Sequence, residues 1–200
     1  MDFDLQKKQT LAKLGKPDRS RATNVDKHIV SLLDTINTNP NWYTTSSCSG
    51  RIMVLEESTL RIKKEVKWHF VSHDPVKEKE IMLAAKKGVK NTVWFKFEPL
   101  ILHVCCRDTT SAQEFLVICQ NTGLKHSGAI TIGKRIILEI IGNDRIDCPV
   151  AQGRDILADD AYLSHLVKVA NKKLSENLKR IERFEKEIKK LINELRLIDH

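Results

Sequence analysis

Apolar side chains recur at helical spacing near the start of the chain. Over residues 24–41 they return every three or four positions, which predicts a helix that Asn24 or Asp26 caps and that ends at residues 39–41. The apolar positions of this helix are Ile29, Leu32, Leu33 and Ile36. A weaker pattern predicts a short helix before it, at Leu5, Leu11 and Leu14.

The middle of the chain changes to short apolar runs bounded by polar residues, a pattern typical of buried strands. Four such runs are present, at residues 66–71, 93–97, 100–105 and 136–141. Two helices are predicted between them, over residues 76–87 and 110–121. Each follows an acidic residue suited to a helix N-cap and ends at a glycine.

Each of these two predicted helices follows a predicted strand, and the two strand–helix segments resemble each other. The distance from Asp74 to Gly88 is 14 residues, and that from Asp108 to Gly123 is 15. A second similarity links residues 48–52 (CSGRI) with residues 126–130 (HSGAI). These matches predict two intertwined strand–helix repeats, with chance similarity as the alternative at so few positions.

One long helix is predicted over residues 155–200, because the last forty residues are rich in Lys, Glu and Leu and their apolar positions have helical spacing. Only Asn177 interrupts its apolar stripe of Val167, Ala170, Leu174, Ile181, Phe184, Ile188, Leu191, Leu195 and Ile198. Packing on the chain's own core favours a monomer, and a dimer through this helix is the alternative. We therefore expect an α+β fold with a mixed β-sheet core in a single domain, 1–200. Its parts are N-terminal helices (1–41), an α/β core (42–150) and a C-terminal helix packed on that core (155–200).

Charge and cysteine content narrow the functional classes. Lys and Arg number 34 against 26 Asp and Glu, and the resulting net charge of +8 favours a polyanionic partner, nucleic acid before a membrane surface. The five cysteines form no CxxC pair, which indicates a reducing compartment, the cytoplasm. No apolar run approaches the roughly 20 residues of a membrane span, so no membrane association is expected.

One segment is unusually rich in small hydroxyl residues and could form a ligand-binding loop. It consists of Ser46, Ser47, Cys48, Ser49, Gly50 and Arg51. Small residues allow backbone N–H groups to approach an anionic ligand, and Arg51 can pair with a carboxylate or phosphate. An ordinary serine-rich turn is the alternative.

Other polar residues lie at the ends of predicted strands or inside them. His73 and Asp74 follow a strand, where α/β proteins often place reactive groups, although Asp74 could simply cap the next helix. Further candidates are Glu98, His103, His126, Ser127 and Gly128. Cys48 paired with His73 or His126 would suit a thiol-dependent hydrolase, which is a further alternative. No two candidate metal ligands have the close spacing that is usual in zinc sites, so we expect no metal site. No GxGxxG motif or P-loop follows a predicted strand, so we expect no Rossmann-type nucleotide site.

Four segments in this order together resemble the tRNA wybutosine-synthesising methyltransferase family, over about residues 25–175. They are residues 43–52 (YTTSSCSGRI), 68–76 (WHFVSHDPV), 94–104 (WFKFEPLILHV) and 125–128 (KHSG). The resemblance implies a fold other than the Rossmann methyltransferase fold. It also implies transfer of a methyl group from S-adenosylmethionine to the N-4 nitrogen of the tricyclic wyosine-type guanosine beside the anticodon of phenylalanine tRNA.

Roles for the candidate residues follow from this resemblance as hypotheses. His73 or Asp74 would accept the ring proton or orient the group that does. The segment 46–51, His103 and residues 126–128 would hold the two ligands, with Glu98 on a ribose hydroxyl. Lys16, Arg19 and Arg21 would contact tRNA phosphates, and the base could stack on Trp42, Trp68 or Trp94. A non-catalytic tRNA-binding or assembly protein is the alternative.

Overall fold

The structure, a computed structural model, describes residues 2–13, 26–57 and 66–198. The chain divides into two units that alternate along the sequence. The first unit comprises Met1–Ser49, Leu100–Asn143 and Leu178–His200, and the second comprises Gly50–Pro99 and Asp144–Asn177. The predicted intertwining of two parts of the chain is therefore present, while the single domain stays a prediction.

The first unit contains a four-stranded antiparallel sheet in the order β1-β5-β7-β6. Its elements are α1 (Phe3–Leu11), α2 (Val30–Thr38), β1 (Trp42–Cys48), β5 (Ile101–Cys106), α4 (Thr109–Asn121), β6 (Gly128–Ile132) and β7 (Ile136–Ile141). Its core joins one face of the sheet to α2 and α4. Trp42 fixes this packing, because its indole Nε1 donates to the Ser111 carbonyl oxygen at 2.9 Å and its ring meets Phe115 edge-on.

The second unit contains a five-stranded antiparallel sheet in the order β3-β2-β4-β8-β9. Its elements are β2 (Arg51–Glu56), β3 (Lys67–Ser72), α3 (Glu78–Ala85), β4 (Thr92–Glu98), β8 (Ile146–Gln152) and β9 (Asp155–Ile156). Burial alternates along β4, where Val93, Phe95 and Phe97 are fully buried and the residues between them are half-exposed. At β4, one face of this sheet therefore belongs to a core, and the other is partly accessible to solvent.

The long C-terminal helix is α5 (Asp160–Ile198). Its residues up to Asn177 belong to the second unit, and those from Leu178 belong to the first. The predicted apolar stripe is buried at Val167, Ala170, Leu174, Ile181, Phe184 and Ile188, and Asn177, which interrupts it, is buried as well. This confirms the predicted helix, since an amphipathic helix gains its stability from burial of such a stripe. In the described part of the chain, no helix is long and apolar enough to cross a membrane.

The α+β class with a long C-terminal helix is confirmed, but the predicted mixed sheet is two antiparallel sheets. The two strand–helix segments differ in position, because β5 lies inside its sheet and β3 lies at an edge. The edge position also explains why the predicted burial of residues 66–71 is wrong: among the described strands β3 pairs only with β2, and Trp68 and Val71 expose 38% and 42% of their surface.

Two of the predicted helix caps are wrong and one is confirmed. Helix α3 begins at Glu78 and is preceded by Lys77, so Asp74 does not cap it. Ile29 occupies the N-cap position of α2, and Asp26 instead accepts the backbone N–H of His28. Asp108 caps α4 as expected, because its carboxylate accepts the Ser111 N–H at 2.8 Å.

A buried carboxylate stabilises the loop before β4. One carboxylate oxygen of Glu56 accepts the backbone N–H groups of Val89, Lys90 and Asn91 at 2.9–3.2 Å, and the side chain is 1% exposed. Burial raises the pKa of this carboxyl, but the three N–H donors and the Lys67 ammonium outweigh burial and lower the pKa to about 2.

We expect the substitution Glu56→Gln to lower the free energy of unfolding by about 2 kcal/mol at neutral pH, a usual value for hydrogen bonds to a charged group. The folded-state pKa is lower than the ordinary value of 4.5, so the contribution of Glu56 is complete above that value and is lost as the pH falls toward about 2. Urea unfolding of both proteins from neutral pH down to about pH 3 should therefore show the difference shrinking.

The matched control is Glu176→Gln in the same unit, because Glu176 is 48% exposed and its ion pair with Lys172 spans 3.9 Å. Such exposed pairs contribute about 0–1 kcal/mol. If the Glu56 and Glu176 variants unfolded at the same urea concentration at neutral pH, the assigned role of Glu56 would be wrong.

Candidate functional site

The predicted ligand loop, residues 46–51, lies where β1 ends and β2 begins. Its residues up to Ser49 belong to the first unit, and Gly50 and Arg51 belong to the second. Ser46 is exposed, Ser47 and Cys48 are half-buried, and Ser49 is buried. The segment therefore contributes different side chains to two separate polar clusters, one in each unit.

In the first unit, Ser46 begins a row of residues across the sheet. Ser46 pairs with His103 on β5, His103 pairs with Glu139 on β7, and Glu139 pairs with Gly128 on β6. The Ser46 hydroxyl lies 2.6 Å from His103 Nδ1, and His103 Nε2 lies 3.1 Å from a Glu139 carboxylate oxygen. The sheet thus brings together three predicted site residues and one that was not predicted.

These contacts determine the hydrogen-bonding roles of the neutral His103 ring. An ionised carboxylate only accepts, so Nε2 carries the hydrogen and donates it to Glu139. Nδ1 then accepts from the hydroxyl of Ser46. An exposed hydroxyl that donates to an imidazole can bind a polar ligand through its oxygen or pass a proton to the ring.

Asp26 holds the buried end of the loop in the first unit. One of its carboxylate oxygens accepts from the backbone N–H of Ser49 at 3.1 Å and from the Ser49 hydroxyl. The other accepts the N–H of His28 at 3.0 Å. This carboxylate was predicted as a helix cap, and it instead joins the chain before α2 to the end of β1.

In the second unit, Gly50 occupies a position that suits no other residue. Its φ of +108° is disfavoured for residues with a side chain, and an added Cβ would lie 2.9 Å from the Asn177 amide nitrogen and 3.0 Å from the Glu98 carbonyl oxygen. The Gly50 carbonyl oxygen accepts from His73 Nδ1 at 2.8 Å. The basic lone pair of the neutral His73 ring is therefore on Nε2.

Asp74, the other predicted catalytic residue, lies in the turn after β3 and is exposed. Ser72 shapes this turn, because its hydroxyl accepts the Asp74 N–H at 3.0 Å and donates to the Asp74 carbonyl oxygen at 2.7 Å. The turn presents the two neighbouring side chains His73 and Asp74 at the end of an edge strand.

Arg51 and Glu98 pair across the second sheet and begin a longer charged cluster. Two guanidinium nitrogens of Arg51 donate to one Glu98 oxygen at 2.9 and 3.1 Å. Arg145 lies 3.5 Å from the other Glu98 oxygen and 3.3 Å from Asp147, which also pairs with Lys96 at 2.5 Å. Glu98, predicted to bind a ribose, is thus held in place by two arginines.

The remaining predicted residues have different surroundings. His126 is exposed in the loop before β6, and the Ser127 hydroxyl accepts the Ile141 N–H at 3.3 Å, which connects this loop to β7. Burial raises the pKa of the Cys106 and Cys119 thiols to about 12, which suits inert core cysteines. Lys16, Arg19 and Arg21 lie outside the described residues.

The structure adds three charged residues that the sequence did not single out, namely Glu139, Arg145 and Asp147. Glu139 gave a signal that was missed: it is the one polar residue of the apolar run 136–141, as His103 is of the run 100–105. Arg145 and Asp147 gave no such signal, because they lie in a polar stretch where charged residues are ordinary.

A basic groove of about 470 Å³ lies in the first unit, between the end of α4 and the last part of α5. Lys125, Arg183 and Lys186 line it with one carboxylate, Glu187. The amide side chains of Gln120 and Asn121 also line the groove. This balance of charges and amide donors suits an anionic ligand.

Comparison with known proteins gives consistent matches. The family model described as Methyltransferase TYW3 matches residues 5–190. A mouse protein named tRNA wybutosine-synthesizing protein 3 homolog is 36% identical over 176 residues, covering 86% of this chain and 68% of that protein. A Thermococcus sibiricus protein named tRNA(Phe) 7-((3-amino-3-carboxypropyl)-4-demethylwyosine(37)-N(4))-methyltransferase is 34% identical, covering 95% of this chain and 96% of that protein. The solved structure of the PH1069 protein from Pyrococcus horikoshii superposes with a TM-score of 0.85 at 32% identity, covering 93% and 95% of the two chains.

We expect the substitution Gly50→Ala to lower the free energy of unfolding by about 1–3 kcal/mol, because the added methyl group forces strain at a positive φ. The control is Gly133→Ala in the turn between β6 and β7, where an added Cβ would meet no described atom within 4 Å. Urea unfolding of the two variants should separate them clearly. Equal midpoints would show that the tight packing around Gly50 does not constrain the loop.

Proposed function

The chain belongs to the Methyltransferase TYW3 family, and from this membership we propose its substrate and donor. The enzyme transfers a methyl group from S-adenosylmethionine to the N-4 nitrogen of the tricyclic wyosine-type guanosine derivative next to the anticodon of phenylalanine tRNA, a step of wybutosine biosynthesis. The match over residues 5–190 and the name of the Thermococcus sibiricus relative support this proposal.

The observation that carries the proposal is the Arg51–Glu98 pair beside Trp68. The Arg51 guanidinium carbon lies 4.9 Å from the centre of the Trp68 ring, so an aromatic ring, a planar cation and a carboxylate adjoin one another. Nucleosides combine an aromatic base with ribose hydroxyls, which these groups complement. Glu98 can accept a hydrogen bond from a ribose hydroxyl, since the contact of one of its carboxylate oxygens with Arg145 is long, at 3.5 Å.

For the reaction, S-adenosylmethionine supplies an electrophilic methyl group on a sulfonium. The protein's contribution is to hold the acceptor nitrogen in line with that group and to remove its proton, and correct positioning supplies most of the rate. We assign proton removal to the pair His73 and Asp74. His73 is suited to it because its Nδ1–H is held by the Gly50 carbonyl oxygen, which leaves the basic lone pair on Nε2.

The predicted binding residues keep their roles within this proposal. Ser46 and His103 present a hydroxyl held by an imidazole to a bound ligand, and Ser47, Cys48 and Ser49 complete that side of the loop. His126, Ser127 and Gly128 lead into β6, where Gly128 belongs to the same row as Ser46 and His103. We further propose that the protein acts in the cytoplasm. We also propose that it is a monomer, because the apolar stripe of α5 is buried from Val167 to Ile188.

The test is incubation of the protein with isotope-labelled S-adenosylmethionine and tRNA from cells that lack the modification, followed by mass spectrometry of the nucleosides. We expect one labelled methyl group on the tricyclic base. Asp74→Ala should abolish this product and leave S-adenosylmethionine binding, measured by calorimetry, largely unchanged. Asp155→Ala, an exposed carboxylate on β9, is the control and should retain turnover.

The two parts of this proposal fail in different ways. Absence of labelled base with the wild-type protein would contradict the assigned substrate or donor. Turnover in Asp74→Ala equal to that of Asp155→Ala would contradict only the catalytic role of Asp74.

The tRNA is held chiefly through its phosphates, at Lys16, Arg19 and Arg21 and in the basic groove beside α5. We expect the double substitutions Arg19→Glu/Arg21→Glu and Arg183→Glu/Lys186→Glu each to weaken tRNA binding about tenfold. Each should also reduce the slope of log affinity against log salt by about 2. Filter binding at several salt concentrations measures both quantities.

The control is Lys168→Glu/Lys172→Glu, which changes the net charge equally at two exposed positions outside the groove. This variant should bind tRNA as the wild type does. An equal loss in all three variants would mean that net charge, and not these two sites, governs binding.

A further inference from the structure

A row of apolar side chains crosses the exposed face of the second sheet. Leu55 on β2 pairs with Trp68 on β3 and with Trp94 on β4, and Trp94 pairs with Pro149 on β8. Directly paired residues of antiparallel strands project from the same face. The two tryptophans therefore flank Leu55, about 10 Å apart across two strand spacings.

These side chains are accessible although they are large and apolar. Trp68 is 38% exposed, Leu55 and Trp94 are half-buried, and Pro149 is exposed. The third tryptophan is different, because Trp42 is fully buried in the first unit and its indole N–H is used by Ser111. Of the three predicted stacking residues, two remain.

Both tryptophan rings are held by polar contacts. Arg51 lies over the Trp68 ring at 4.9 Å, and Lys96 lies over the Trp94 ring at 5.5 Å. The Trp94 indole nitrogen also donates to Glu57 at 3.2 Å. Rings that are oriented before a ligand arrives lose less entropy when it binds.

The charged residues between the two rings form one connected chain. From Trp68 it runs through the side chains of Arg51, Glu98, Arg145, Asp147 and Lys96 to Trp94. Three of these five carry a positive charge and two carry a negative charge, while Glu57 adds a third carboxylate beside Trp94. Each tryptophan ring has a cation against it, and such alternating rings and cations complement bases joined by phosphates better than they complement a neutral apolar partner.

We propose that this face binds unpaired bases of the tRNA anticodon loop, with Trp68 and Trp94 as stacking surfaces and Arg51, Arg145 and Lys96 beside the phosphates. Open sheets with aromatic residues on neighbouring strands bind single-stranded RNA in this way. The inference rests on the proposed function for the identity of the RNA. It assigns the modified loop to the second sheet.

The test compares two RNA probes, an anticodon stem-loop of phenylalanine tRNA and a fully paired duplex of the same stem, by fluorescence anisotropy without methyl donor. We expect Trp68→Leu/Trp94→Leu to raise the Kd for the stem-loop about tenfold or more, and to leave the Kd for the duplex unchanged. The slope of affinity against salt should not change, because no cation is removed. Trp68→Phe/Trp94→Phe keeps an aromatic surface and should restore most of the affinity.

Tyr162→Leu is the control, because Tyr162 is an aromatic residue in the same unit with 47% exposure, outside the row. It should bind both probes as the wild type does, and melting curves check that each variant is folded. An unchanged stem-loop Kd, or an equal loss for stem-loop and duplex, would overturn the inference. So would sedimentation showing that the leucine variant abolishes a wild-type dimer, since the face would then bind a second copy.

Binding in this experiment does not depend on methyl transfer. A protein that binds the loop through these tryptophans but methylates nothing would contradict the proposed function alone. A protein that methylates the base but binds equally well without the tryptophans would contradict this inference alone.

Discussion

In each sheet one face packs into a core and the opposite face carries a polar cluster, and both polar clusters depend on this alternation. In the first unit, Leu102 and Val104 point into the core, so His103 between them must point to the opposite face. Glu139 is placed in the same way between Leu138 and Ile140. A shift of one residue in the pairing would bury these polar side chains and expose the core side chains, a cost that fixes the register. The register in turn brings Ser46, His103 and Glu139 within hydrogen-bonding distance.

The helices could be predicted from the sequence because their signals are local. The stripe of α5 repeats every three or four residues, and Asp108 precedes α4 by one position, so a short window contains the information. Strand partners depend on residues far apart in the chain, and no local pattern identifies them. The run 66–71 shows the difference. Its composition suggested a strand, correctly, but composition does not distinguish a central strand from the edge strand that β3 is.

In the candidate site, too, the residue types could be identified from the sequence, but their contacts could not. The segment 46–51 was singled out from its residue types, yet its residues serve two clusters: Ser46 meets His103, and Arg51 meets Glu98. The predicted partner segment, residues 126–128, contributes Gly128 to the row that contains Ser46. These pairs are 47 to 57 residues apart in the sequence, so their contact follows from strand pairing and not from any local motif. The family resemblance identified these segments as motifs in a fixed order along the chain. Strand pairing in the sheets determines which of their residues are in contact.

The charged chain on the second sheet needs an explanation beyond stability. Exposed ion pairs contribute about 0–1 kcal/mol each, because solvent screens them and long side chains lose entropy when they are held. The side chains of Arg51, Glu98 and Asp147 are 30–37% exposed, and that of Arg145 is 57% exposed, so their mutual pairing adds little to the folded state. The side chains are nevertheless held in one connected arrangement next to two accessible tryptophans. A ligand that meets such a surface finds charges and rings already oriented, which lowers the entropic cost of binding. The proposed recognition of a nucleoside therefore accounts for this arrangement better than a contribution to folding does.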